Sequence, residues 1–178
     1  MVLFVFNLKS ATDTMWFPVK LGAVVLLTLA AMDAEGSKET MKDITSGFFK
    51  VLNECKHELN LPDHLVGDFY HYWRQEYALL DRDLGCAILC MSRKLELIDA
   101  SGKLHHGNTQ EFAEKHGADN SMASKLVEVL HSCEKQHEAV SDDCQRALEV
   151  AKCFRSSVHE LGWAPTIDVI IEEVLTDM

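Results

Sequence analysis

Basic charge is scarce in this sequence: 17 Lys and Arg stand against 28 Asp and Glu, a formal net charge of −11. A nucleic-acid binder needs a basic stripe to neutralise phosphates, and an anionic membrane attracts cationic surfaces, so both kinds of partner are excluded. Only three prolines occur, and no stretch alternates apolar and polar residues over a useful length, which leaves no solvent-facing strand. No internal repeat and no low-complexity linker divides the 178 residues. Catalytic signatures are missing as well. His57-Glu58, His137-Glu138 and His159-Glu160 each lack the second histidine of a zinc-protease His-Glu-x-x-His, and there is no Gly-x-Ser-x-Gly elbow or phosphate-cradling glycine loop. His105-His106 offers at most two donors on a loop, too few for a metal, so neither metal nor cofactor is expected and the chain is not read as an enzyme.

What the sequence does hold is cysteine. Six occur as C-x30-C-x3-C-x42-C-x10-C-x8-C, from Cys55 to Cys153. In a helix Cys86 and Cys90 share a face with parallel Cβ vectors, poorly placed to bond each other, so each needs a distant partner. An even set in a cytosolic chain suggests metal or redox chemistry, whereas behind a secretion signal it suggests a disulfide framework. The amino terminus decides between them: Lys20 precedes the apolar run Leu21 to Met32, about the length of a signal-peptide core and too short to span a bilayer comfortably. Small residues at Ala34 and Gly36 fit the positions before a cut, which predicts residues 1–36 as a secretory signal and residues 37–178 as the domain. A second apolar run, Met1 to Phe6, precedes the basic residue and leaves open whether translation starts at Met1 or Met15. Residues 1–36 carry two basic and three acidic residues, so −10 of the charge belongs to the domain.

With 47% hydrophobic and 25% charged residues, the domain is expected to bury one core. Met41, Ile44, Phe48, Leu52, Cys55 and Leu59 recur at three and four, predicting one helix capped by Ser37 or Thr40. After Leu61-Pro62-Asp63, Leu65, Phe69, Tyr72 and Trp73 form a second stripe; Asp81 or Asp83 then starts a helix holding Leu84, Ile88, Met91, Leu95, Ile98 and both central cysteines. Ser92 is a polar exception near its buried side, bonding back to the carbonyl four residues earlier or facing a cavity. A turn at Asp99 to Gly102 leads to a helix capped by Asn108 and closed at Gly117, another opened by Asp119 or Asn120, and a last one begun at Ser141 to Asp143 and closed by Gly162. Beyond Pro165, Ile167, Ile170, Ile171 and Val174 form an apolar face among Asp168, Glu172, Glu173 and Asp177. The class is all-α, about six helices and a tail over residues 164–178.

The cysteine spacing, Gly85 to Cys90, Leu104-His105-His106-Gly107-Asn108, Glu111-Phe112-Ala113, Lys115 to Asp119 and Trp163-Ala164-Pro165 together resemble the insect odorant-binding proteins, specifically the moth pheromone-binding group. The resemblance covers the domain from Ser37 to Met178. It implies pairs Cys55–Cys90, Cys86–Cys144 and Cys133–Cys153, stapling the helices around an apolar cavity. It also implies a ligand-lining set of Met41, Ile44, Phe48, Trp73, Ile88, Ser92, Phe112, Val127, Leu130 and Phe154, with Phe48 and Phe154 as walls and Ser92 at a polar head group. Tyr72 stands where many relatives have phenylalanine, so its hydroxyl bears on the pocket. The implied function is a secreted carrier, in antennal sensillum lymph, for long-chain pheromone alcohols, aldehydes or acetates; a general odorant-binding protein for plant volatiles is the alternative. Release at low pH is implied through the tail, with His105, His106, His131 and Asp168 as the switch. Further partners admitted by the resemblance are an olfactory receptor and a second copy of the chain.

Overall fold

The computed structural model describes residues 35–170; most of the expected leader and the last eight residues of the tail lie outside them. Helix α1 covers residues 35–49 and is followed by α2 (Leu52–Leu59), α3 (Leu65–Trp73), a 3-10 turn (Tyr77–Leu79), α4 (Arg82–Lys94), α5 (His106–Lys115), α6 (Asn120–Gln136), α7 (Asp143–Glu160) and a short turn α8 (Ile167–Val169). Among the described residues the sole β feature is an isolated bridge between Ile98 and Leu104, and no helix is long and apolar enough to cross a membrane.

The element boundaries follow local chemistry. Asp81, Asp119 and Asp142 cap α4, α6 and α7, each side chain accepting from backbone N–H groups of the first turn. Asn60 ends α2 in the left-handed conformation at φ 51°, and Gly162, at φ 72°, follows α7 in the same region. Four expectations need correction. Helix α4 ends at Lys94, because Glu96 turns the chain with φ 56°, and Ile98 lies beyond it in the bridge to Leu104. The first helix is broken at Lys50 and Val51, dividing it into α1 and α2. Neither Ser37 nor Thr40 caps it, because residue 35 is already helical. Nor does Asn108 cap α5: His105 is the cap, its Nδ1 accepting from Asn108 N at 3.1 Å and starting the helix three residues earlier, while the Asn108 side chain donates to Glu96 O at 2.9 Å.

Helix α4 packs most extensively against α7. Three disulfides surround this pair: Cys55–Cys90 ties α2 to α4, Cys86–Cys144 ties α4 to α7, and Cys133–Cys153 ties α6 to α7. These are the pairs the resemblance implies, and both sulfurs of α4 go to different partners. The α4–α7 bridge has a Cα separation of only 4.5 Å. Gly85 permits that approach, since a Cβ there would sit 2.0 Å from the Cys144 carbonyl oxygen. Beside it the Arg82 guanidinium grips Asp142 with contacts of 2.8 to 3.0 Å, a fork that lowers the Asp142 pKa.

The expected single core is instead two dense clusters. One gathers Phe49, Leu52, Leu65, Phe69, Trp73, Leu84, Met91 and Ile170. The other gathers Met41, Ala113, Met122, Ala123, Leu126 and Val158. Ile170 is fully buried in the first, so the initial part of the tail belongs to the fold.

Gly85→Ala tests the helix contact. Alanine would favour α4 by about 1 kcal/mol through propensity, but the clashing atom is backbone oxygen held by a disulfide, and overpacking of this kind costs roughly 1–3 kcal/mol or more. A net loss of stability is expected in chemical denaturation; an unchanged or raised midpoint would show that α7 can yield.

Candidate functional site

A cavity lies between the two clusters, lined by Phe49, Phe69 and Trp73 from one and Met41, Ala113 and Leu126 from the other. Counted as space open to the centre of a water molecule, its volume is about 220 Å³, against roughly 10–15 Å³ for a single water on that measure. Helices α1, α3, α4, α5, α6 and α7 all contribute, with the segment from Leu97 to Leu104 closing one side.

Of the ten residues implied as ligand-lining, Met41, Ile44, Phe48, Trp73, Ile88, Ser92, Phe112, Leu130 and Phe154 line this cavity. Val127 is the exception: it is buried, but Leu126 and Leu130, four apart on α6, take the cavity face and leave the intervening turn pointing elsewhere. Phe48 packs against the first cluster and Phe154 against the second, so they bound the hollow from different sides.

The polar atoms around this apolar surface divide into committed and free. Thr45 Oγ1 donates to Met41 O at 2.7 Å, and Thr109 Oγ1 to Leu97 O at 3.3 Å. The Tyr72 hydroxyl donates to Ala151 O at 3.0 Å, joining α3 to α7; burial raises its pKa and keeps it a neutral donor. By contrast, the Ser92 hydroxyl lines the cavity with no hydrogen-bond partner among the described residues. The Trp73 indole N–H is likewise buried and unpartnered. That indole is fixed from behind by Arg155, whose guanidinium lies 5.1 Å from the ring centroid and donates to Trp73 O at 2.7 Å. Burial pushes the Arg155 pKa down.

A charged rim sits at one end. Glu134, Asp143 and Arg146 line it with Gly102 and Leu104; Glu134 Oε1 accepts from Leu104 N at 2.9 Å, and Arg146 donates to Val140 O at 2.7 Å and to Asp143. Three of the four proposed switch residues gather outside this rim: His106 Nε2 is 3.3 Å from His131 Nδ1, His131 Nδ1 is 3.5 Å from Glu134 Oε2, and His105 caps α5 beside them. Asp168 is exposed on α8 and shares no contact with these histidines among the described residues. Sequence reasoning missed Glu134, Asp143 and Arg146, because a search for apolar stripes discards charged positions. The signal available was Arg146 three residues after Asp143, a basic side chain in an otherwise acidic first turn.

An all-helical shell, stapled by three disulfides around an apolar hollow, defines a carrier of small hydrophobic molecules. The chain belongs to the PBP/GOBP family, whose profile it matches over residues 37–157. It is 45% identical over 156 residues to pheromone-binding protein 2 of Epiphyas postvittana, covering 88% of this chain and 94% of that protein. General odorant-binding protein 1 of Antheraea pernyi is 39% identical over 137 residues, covering 77% of this chain and 82% of that one. The crystal structure of Epiphyas postvittana pheromone binding protein 3 matches with a TM-score of 0.62 at 61% identity, covering 65% of this chain and 99% of its own. The protein is thus a pheromone- or odorant-binding carrier, and the family is one of binding proteins rather than enzymes.

Tyr72→Phe separates a structural hydroxyl from a ligand contact. Loss of the bond to Ala151 O should lower stability by about 0.5–1.5 kcal/mol and leave ligand affinity within about twofold, equivalent to less than roughly 0.5 kcal/mol. A large affinity change in a displacement assay would place the hydroxyl on the ligand.

Proposed function

We propose that this chain is a secreted carrier that solubilises a long, straight-chain volatile alcohol, aldehyde or acetate of the pheromone type and releases it at low pH. Residues 1–36 serve as the secretory leader in this reading. The observation that carries it is the apolar hollow bounded by Phe48 and Phe154 on different core clusters. A chain of about sixteen carbons buried there gains on the order of 12 kcal/mol gross at about 0.8 kcal/mol per methylene, before ordering costs. Micromolar affinity or better follows, about −8 kcal/mol or below.

The head group meets the Ser92 hydroxyl and the Trp73 indole N–H, two groups of cavity-lining residues without hydrogen-bond partners among the described residues. Each bond contributes about 1 kcal/mol net, so chain length and shape dominate selectivity. The general odorant-binding relatives support a second reading, a broad binder of plant volatiles. Displacement of a fluorescent apolar probe decides: linear chains displace it with a clear length optimum and short terpenoids weakly. Equal displacement by both favours the broad binder, and none by either refutes the carrier. Phe48→Ala and Phe154→Ala should each weaken the linear ligand about tenfold or more, given roughly 3 kcal/mol for a buried phenylalanine less relaxation.

Release works through charge at the rim and in the tail. Positive charge on both His106 and His131, whose ring nitrogens lie 3.3 Å apart, drives the two rings apart beside the rim that Glu134 holds. The tail beyond Ile170 then takes the ligand's place, which requires its carboxylates to be protonated, since burying them ionised would cost several kcal/mol. Both events are complete at low pH and reversed as pH rises. In the same reading the carrier works in antennal sensillum lymph and delivers its ligand to an olfactory receptor, as monomer or homodimer.

The tail prediction needs a chosen end point. A chain ending at Pro165 also loses Ile170 from the core, whereas one ending at Ile170 keeps the packed residues. The latter should hold ligand at about pH 5, where the full chain has released it; equal release from both would refute insertion and leave the histidine rim as the switch.

A further inference from the structure

We propose that His64, Asp68 and Asp81 form a binding site for a divalent transition-metal ion of the zinc type, on the outer face where α3 meets α4. One donor atom from each residue lies within 4.8 Å of the others, and no other group of three such donors occurs among the described residues. His64 Nε2 stands 3.6 Å from Asp68 Oδ2 and 3.6 Å from Asp81 Oδ2. Those separations exceed a hydrogen bond. They approach the edge of a tetrahedron with metal–ligand bonds of about 2.0–2.2 Å, which is roughly 3.3–3.6 Å.

Asp68 supplies the independent sign of a missing cation. It is only 8% exposed, and the oxygen that faces His64 is the one buried without a hydrogen-bond partner. A native fold rarely leaves a buried carboxylate oxygen unsatisfied. Burial is the main cause that raises the Asp68 pKa, with Asp81 and in smaller part Asp83 adding to it, and His64 and His71 offset only part of the rise. His71, the other nearby imidazole, is engaged by Glu76 at 2.7 Å.

The donors are also pre-set. Asp81 Oδ1 is committed to capping α4 by accepting from Asp83 N and Leu84 N, which aims Oδ2 toward His64. His64 and Asp68 are four apart at the start of α3 and so share a face. The side chains of His64 and Asp81 are 60% and 52% exposed, leaving an entry path and an open fourth position for water. One imidazole with two carboxylates suits zinc, copper or nickel better than magnesium or calcium, which prefer all-oxygen sites. The site lies apart from the apolar cavity, none of its three residues lining it. Its role is to hold the start of α3 to the start of α4.

The test is zinc titration of the refolded, disulfide-bonded protein against a chromophoric chelator near neutral pH. One equivalent should bind and raise the thermal midpoint. His64→Ala and Asp81→Asn should each weaken binding about tenfold or more; asparagine still caps α4, so the second variant stays folded. His131→Gln, which breaks the His106–His131 pair away from the site, should leave zinc binding unchanged, and magnesium should not compete. Absence of zinc binding would overturn the site, as would binding lost in His131→Gln but retained in His64→Ala.

Discussion

The close contact of α4 with α7 is the constraint on which the rest of the structure depends. Gly85 removes the Cβ that would meet the Cys144 carbonyl, and the Cys86–Cys144 bridge holds the two backbones 4.5 Å apart at that point. From this seam α4 sends Cys90 to α2, and α7 sends Cys153 to α6. Helices anchored in this way can enclose a space without filling it. Atoms that face a hollow lose the dispersion contacts a filled core would give. Three cross-links, each stabilising by roughly 2–4 kcal/mol chiefly through the unfolded chain, offset that loss.

The placement of polar groups follows the same logic. Thr45, Thr109 and Tyr72 border the cavity, yet each donates to a backbone carbonyl. They therefore present carbon to a ligand. Ser92 and the Trp73 indole N–H keep their capacity for a guest, while formal charge is confined to the rim formed by Glu134, Asp143 and Arg146. The high acidity of the chain lies largely on exposed residues, where it favours solubility; among the described residues the buried charged side chains are Asp68 and Arg155.

Much of this was legible in sequence wherever a local rule and a tertiary need agree. The 3.6-residue stripes marked the helices because each buries one face, and aspartates before apolar runs marked three of the caps. The break at Lys50 and Val51 left no proline or glycine signature, so periodicity alone joined α1 to α2. Asn108 looked like a cap by residue type, but His105 offered a ring nitrogen to the same turn and won. Apolar stripes also cannot distinguish a filled core from a hollow one: Phe48 and Phe154 would read alike in either, and only the resemblance pointed to a cavity. Val127 shows the finer limit, since one residue's rotation on α6 separates cavity wall from outer packing. The Asp68 cluster was invisible for a different reason: it is assembled only on folding, from the starts of two helices with sixteen residues of chain between His64 and Asp81.

The central claim is that the space between the two clusters is an occupied binding site rather than a packing defect. A crystal structure of residues 37–178 with a long linear alcohol tests it most directly. The account predicts continuous density for the chain between Phe48 and Phe154, with its oxygen within hydrogen-bond reach of Ser92 Oγ or Trp73 Nε1. A hollow closed by repacked side chains, with the alcohol absent or bound on the outer surface, would contradict it.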